Sequence, residues 1–137
     1  FRVTDPIRFL VFRMEKAHMF SDLGKKQEAL ATLRELEASA RNGKVPLEKV
    51  YYAIGNVQFW YNDLDEALEN MRRATAHPDL DLHTGVLAWM RQGQILDLKQ
   101  RRPEAVEAYR RAIRFAPQTA AAAESKRYLS SPYRRKG

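Results

Sequence analysis

The stretch that decides the fold is residues 89–117, WMRQGQILDLKQRRPEAVEAYRRAIRFAP. Small residues stand at Gly93, Ala105 and Ala112, larger apolar ones at Trp89, Leu96 and Tyr109, and a proline closes the segment at Pro117. The same order recurs toward the N-terminus with a fixed step of 38 residues. Ala17, Gly55 and Gly93 form one column, and Ala29, Ala67 and Ala105 a second. Leu33, Met71 and Tyr109 make a third, with Leu36, Ala74 and Ala112 as the fourth. Small residues at fixed places in each unit, with apolar partners a helical turn away, describe two helices that approach closely and stack on the next pair. The expected fold is therefore an all-α solenoid.

Helix punctuation supports three pairs. Asp5-Pro6 opens a helix to about Asp22, and Gly24 breaks it before a second, about Lys26 to Ala40, which Asn42-Gly43 ends. Pro46 starts a helix to about Tyr61; the Asn62-Asp63 turn leads to one from Leu64 to about Ala76, closed by His77-Pro78-Asp79. The third pair runs from about Leu82 to Leu98 and from near Pro103 to Phe115, stopped by Pro117. A seventh helix, about Thr119 to Leu129, carries Ala122, Ser125 and Leu129 on one face and is placed to cover the last exposed surface of the array. No strand pattern is present. The chain divides into repeats at about 6–43, 46–79 and 82–117, followed by a capping helix and basic tail over 118–137, all within a single domain.

In the third unit, Trp89-x2-Gln92-Gly93-x2-Leu96, Ala105-x3-Tyr109-x2-Ala112 and Pro117 resemble the tetratricopeptide repeat, whose pattern has Trp, Leu-Gly, Tyr, Ala, Phe and Pro at that spacing. The second unit, Tyr51-x2-Ile54-Gly55-x2-Gln58, Ala67-x3-Met71-x2-Ala74 and Pro78, departs at Gln58 and by one residue at the proline. The first keeps Ala17, Phe20, Gly24, Ala29 and Leu33 but has Arg13 and Lys16 at seats that are usually apolar. The family repeat has about 34 residues, so about four must be inserted per unit, most simply around Gly43 and Asp81.

That resemblance implies a right-handed superhelix of antiparallel helix pairs, with the first helix of each pair lining a concave groove. The groove seats are Val11, Met14 and His18 in the first unit. Lys49, Tyr52, Asn56 and Phe59 follow in the second, and Leu87, Met90, Arg91 and Gln94 in the third. Met14, His18, Tyr52, Asn56, Phe59, Met90, Arg91 and Gln94 are the candidate site. The amides of Asn56 and Gln94 suit a peptide backbone, and Tyr52, Phe59 and Met90 its side chains. The family branch that clamps acidic chaperone tails uses two Lys, two Asn and one Arg. Here those seats hold Met14, His18, Ala53, Leu87 and Arg91; only Arg91 agrees, so that function is not carried over.

Composition narrows the function classes. The 137 residues contain no Cys, which excludes a disulfide scaffold, a thiolate metal site and a cysteine nucleophile. His18, His77 and His83 lack metal-ligand spacing, there is no nucleophile elbow, and Gly24-Lys25-Lys26 lacks the upstream glycine of a phosphate loop. No catalysis, cofactor, metal or small-molecule substrate is expected; His77 and His83 fall in a linker and should be solvated. No apolar run reaches the length of a membrane span. Phe1 in place of an initiator Met is expected of a processed product or an excised domain, which leaves any targeting segment out of view.

The net charge is +7, and all of that excess lies in residues 80–137, because the +3 of residues 1–46 and the −3 of residues 47–79 cancel. Arg101-Arg102, Arg110-Arg111, Arg114, Lys126-Arg127 and Arg134-Arg135-Lys136 read as a solvated face and a frayed tail. The runs are short and lack interleaved aromatics, which disfavours nucleic acid. Residues 131–137 carry no patterned apolar face and are expected to be dispensable for folding. The function expected is a non-catalytic interaction module holding a peptide or partner helix. Two alternatives stay open: an accessory or oligomerisation domain of a longer enzyme or membrane-associated complex, and an anionic-surface binder acting through the basic end.

Overall fold

A computed structural model describes residues 6–40, 46–78 and 80–135. Among these are seven helices and no strand: α1 Pro6–Asp22, α2 Lys26–Ala40, α3 Leu47–Trp60, α4 Leu64–Ala76, α5 Leu82–Leu98, α6 Arg102–Phe115 and α7 Ala120–Ser130. Among the described residues no helix is long and apolar enough to cross a membrane. Asp5, Asn42, Gly43 and Asp79, which the sequence reading used as caps and turns, lie outside the described residues.

Each first helix packs on its partner and each pair on the next, with α7 closing the end against α6 and α5. All four columns of the repeat are buried: Ala29, Ala67 and Ala105 are fully enclosed, as are Met71 and Tyr109. The glycine column is not uniform. A side chain at Gly93 would overlap the ring of Tyr109, whereas at Gly55 it would meet the flexible end of Met71 at 3.0 Å and the Ala67 carbonyl oxygen at 3.2 Å. The third pair therefore depends on glycine more than the second does. The core forms two clusters that meet on α3, one running from Leu10 to Val57 and the other from Phe59 to Ala121.

The departures from the repeat pattern have local explanations. Gln58 is buried and accepts a 2.8 Å hydrogen bond from the Asn70 amide, so the pair of helices is joined by a polar contact where an apolar one is usual. Arg13 reaches out to Glu35 at 2.6 Å and lies over the Phe9 ring, and Lys16 lies over Phe20, so both keep their stems on the array and their charges outside it.

The helix-to-helix turns also repeat every 38 residues. Gly24, Asn62 and Gln100 have φ of 76°, 66° and 62°. Around them the amides of Lys25, Asp63 and Arg101 donate to the carbonyls of Phe20, Gln58 and Leu96. This pairing, with one residue in the left-handed region, ends a helix and turns the chain sharply back. Gly24 and Asn62 suit that conformation; Gln100, whose turn the sequence reading did not identify, adopts it with a Cβ.

At the C-terminus the structure corrects the expectation of a frayed tail. Asp97 of α5, whose side chain is 1% exposed, accepts from the Tyr109 hydroxyl at 2.8 Å, the Arg102 guanidinium at 3.1 Å and the backbone N–H of Tyr133 at 2.9 Å. Arg102 also donates to the carbonyl oxygens of Tyr128 and Leu129 at 2.7 and 3.0 Å. Burial, reinforced by the Asp97 carboxylate, raises the pKa of the Tyr109 phenol, so it stays a proton donor. From Tyr133 the chain runs back over α3: the Tyr133 ring lies 6.0 Å from that of Phe59, and Arg135 donates to the Phe59 carbonyl. The tail packs because backbone groups and two side chains satisfy partners in α3 and α5, without needing an apolar stripe of its own.

Four outcomes follow. Gly93→Ala should lower stability by about 1–3 kcal/mol in urea unfolding, clearly more than Gly55→Ala; equal midpoints would refute the close α5–α6 approach. Gln100→Gly should raise stability by about 0.5–1 kcal/mol by relieving the left-handed turn. Asp97→Asn should cost about 2 kcal/mol, and deleting residues 131–137 should lower the melting temperature of the parent but much less that of Asp97→Asn. Because the folded Tyr109 pKa lies above its unfolded value, its contribution is complete below about pH 10 and is lost as pH rises beyond it. Tyr109→Phe should flatten that alkaline fall.

Candidate functional site

The concave side is built from the first helices of the pairs, and it divides in two. Between α1 and α3 lies an open cavity of about 670 Å³. Met14 and His18 on α1 face Tyr52 and Asn56 on α3 across it, and Trp60, Tyr61, Ser21 and Asp22 form its far end. The spacings are helical: 14 and 18 lie a turn apart, as do 52, 56 and 60. Tyr61 donates from its hydroxyl to the Ser21 carbonyl at 2.8 Å, tying the end of α3 to that of α1. His18 sits beside Asp22 at 3.3 Å on the exposed rim. Asn56 Oδ1 is buried and has no hydrogen-bond partner, which is costly unless something donates to it.

The second half is covered by the chain itself. Phe59 is fully buried, Met90 is 5% exposed and Gln94 is 3% exposed. Tyr128, Tyr133 and Arg135 lie over this part: Tyr128 stands 5.5 Å from Tyr133 and 5.3 Å from Tyr109, ring centre to ring centre. Gln94 spends its oxygen on Arg91 at 2.6 Å and points its NH2 at the Tyr128 hydroxyl. Arg91 lies over the rings of Phe59 and Trp60 at 4.4 and 5.3 Å. Burial raises the pKa of the Tyr128 phenol.

Of the eight residues read from the sequence, the fold thus brings Met14, His18, Tyr52 and Asn56 into one open cavity. Phe59, Met90, Arg91 and Gln94 form the floor under the tail. Val11 is half exposed on α1, while Lys49 bonds Thr84 at 3.2 Å and Asp81 at 3.3 Å, bracing α3 against α5. Sequence reasoning missed Trp60, Tyr61, Tyr133 and Arg135. Trp60, a turn beyond Asn56, could have been found from the same α3 spacing.

His77, expected in a solvated linker, is three-quarters enclosed and sits 3.4 Å from the buried carboxylate of Glu48. Among the described residues no group of three His, Asp or Glu has metal-binding geometry. Much of the basic end is internally matched: Arg102 holds Asp97, Arg101 holds Glu104, Arg111 and Arg114 share Glu107, and Arg127 approaches Glu124.

Residues 86–119 match the tetratricopeptide repeat family. No curated protein matches the sequence. Among solved structures, that of MamA is similar over 86% of this chain and 72% of its own, with a TM-score of 0.63 and 17% sequence identity. This likeness concerns the fold. Tetratricopeptide solenoids are in general non-catalytic modules that bind other proteins. Residues 86–119 thus carry a tetratricopeptide repeat, set in an all-α array of helix pairs whose fold is similar to that of MamA.

Proposed function

We propose that this protein is a non-catalytic interaction module that holds a short peptide segment in the cavity between α1 and α3. The observation that carries this reading is the unpartnered, buried Oδ1 of Asn56 in a cavity where Met14, Tyr52 and Trp60 stand beside His18, Ser21 and Asp22. An extended segment offers backbone N–H groups to such an acceptor and side chains to the aromatic and thioether surfaces. Trp60 is 55% exposed, an arrangement that suits a contact surface better than a core. Met90 and Gln94, beneath the tail, act as support.

A second reading, in which the array docks or self-associates as part of a larger assembly, is favoured by Val11, Met19 and Leu23. Val11 and Met19 on α1 and Leu23 in the turn after it are 49%, 50% and 63% exposed. A polar substitution at Met19 and Leu23 would then remove any concentration-dependent association seen by light scattering.

The groove reading is tested with a random peptide library panned on the full chain. Tyr52→Ala and Asn56→Ala should each weaken the selected peptides about tenfold, or ~1.4 kcal/mol, with little change in melting temperature. Glu69→Ala and Arg110→Ala, on second helices, should leave binding intact. The reverse pattern would place binding on the convex surface.

A further inference from the structure

The segment after α7 lies on the concave side as a bound peptide would. Ser131 has extended backbone, with φ −144° and ψ 115°, and the chain is without helix or turn from Pro132 to Arg135. Tyr133 gives its backbone N–H to Asp97 at 2.9 Å and sets its ring 6.0 Å from that of Phe59 and 5.5 Å from that of Tyr128. Arg135 donates to the Phe59 carbonyl. A backbone donor, a ring and a long polar side chain are what a groove takes from a peptide.

The rest of the fold does not hang on this segment. Arg102 holds the carbonyls of Tyr128 and Leu129, the Tyr128 ring stands 5.3 Å from that of Tyr109, and Ser125 is fully buried, so α7 has its own seat. If Tyr133 leaves, Asp97 keeps the Tyr109 hydroxyl and the Arg102 guanidinium. The hold of the segment also carries an opposing force. The guanidinium groups of Arg135 and Arg91 each lie 4.4 Å from the centre of the Phe59 ring, so they are no further apart than twice that distance. Among the described residues no carboxylate pairs with either one, in contrast to Arg101, Arg102, Arg111 and Arg114. The Nε of each is buried without an acceptor. Like charges at that separation repel, and departure of Arg135 relieves both costs.

We propose that residues 131–135 are an autoinhibitory strap, loosened by the Arg91–Arg135 repulsion. Closed, it occupies the α3–α5 part of the groove; released, with all seven helices in place, it opens one continuous groove from Met14 to Gln94. This rests on the groove reading and adds its regulation. Trp60 joins the two halves, since it lines the open cavity and also lies 5.8 Å from the Arg135 guanidinium. A segment that is seated on Tyr52 and Asn56 and runs on past Trp60 meets Arg135 and competes with Tyr133 for Phe59. Short segments leave the strap closed, and long ones bind only by displacing it.

Native-state hydrogen exchange on the full chain reads the strap directly. The Tyr133 amide should exchange by local opening, with protection about a hundredfold below that of Ile95 in α5. Arg91→Gln touches no bond of the strap and should raise that protection about threefold. Random peptides of six and of twelve residues then read the groove. Tyr133→Ala keeps the backbone bond to Asp97 and removes the ring; it should bind twelve-residue peptides about tenfold tighter than the parent does, with six-residue peptides binding both alike. Tyr133 exchanging only as slowly as Ile95, protection unmoved by Arg91→Gln, or twelve-residue peptides binding parent and variant equally would each overturn the strap. Six-residue binding that is lost in Tyr52→Ala would still leave the groove reading standing. Peptide binding at both lengths that survives Tyr52→Ala would remove the groove reading and the strap's gating role with it.

Discussion

The Asp97 carboxylate fixes more of this molecule than any other group. A carboxylate that is almost wholly enclosed must be supplied with donors or it destabilises the fold. Tyr109 supplies one from α6, Arg102 another from the start of the same helix, and the Tyr133 backbone a third. Arg102 in turn holds the last carbonyls of α7. Two donors come from opposite parts of α6 and the third from the tail, so satisfying one anion sets the seating of α6, the end of α7 and the path of the tail together. The tail's path then decides how far the concave groove stays open.

Most of the fold was legible because it rests on side-chain periodicity. The columns at 17, 55 and 93 and at 29, 67 and 105 are buried as the spacing required, and the seven helices begin and end close to their caps and breakers. The turn at Gln100 was harder to see, since glutamine carries no turn preference and only its place 38 residues after Asn62 marks it. The tail was misread for a different reason. Its attachment uses a backbone amide, a tyrosine ring and an arginine on a carbonyl, none of which leaves a periodic trace in sequence.

The candidate site divides along the same line. Met14, His18, Tyr52 and Asn56 follow from helical spacing on two facing helices, and the fold brings them together. Phe59, Met90 and Gln94 obey the same spacing but lie under residues 128–135, because the resemblance describes a bare superhelix and this chain covers part of its own. The charge count read the basic end as a solvated face, and what it could not show is that four of those arginines pair with carboxylates of their own repeat.

A solenoid groove left open along its length can receive a long ligand. Here Tyr61 on Ser21 ties off one side of the cavity, and Tyr133 with Arg135 blocks the concave path beyond Phe59. What stays open runs from Tyr52 to Tyr61, little more than two turns of α3, so the segment proposed for it would be short. Few contacts would then be available to offset the ordering of a flexible ligand, which sets the proposed affinity at a modest level. Selectivity has to come from a small number of matched groups. The unpartnered Asn56 oxygen, between Tyr52 and Trp60 on α3, is the group best placed to provide it.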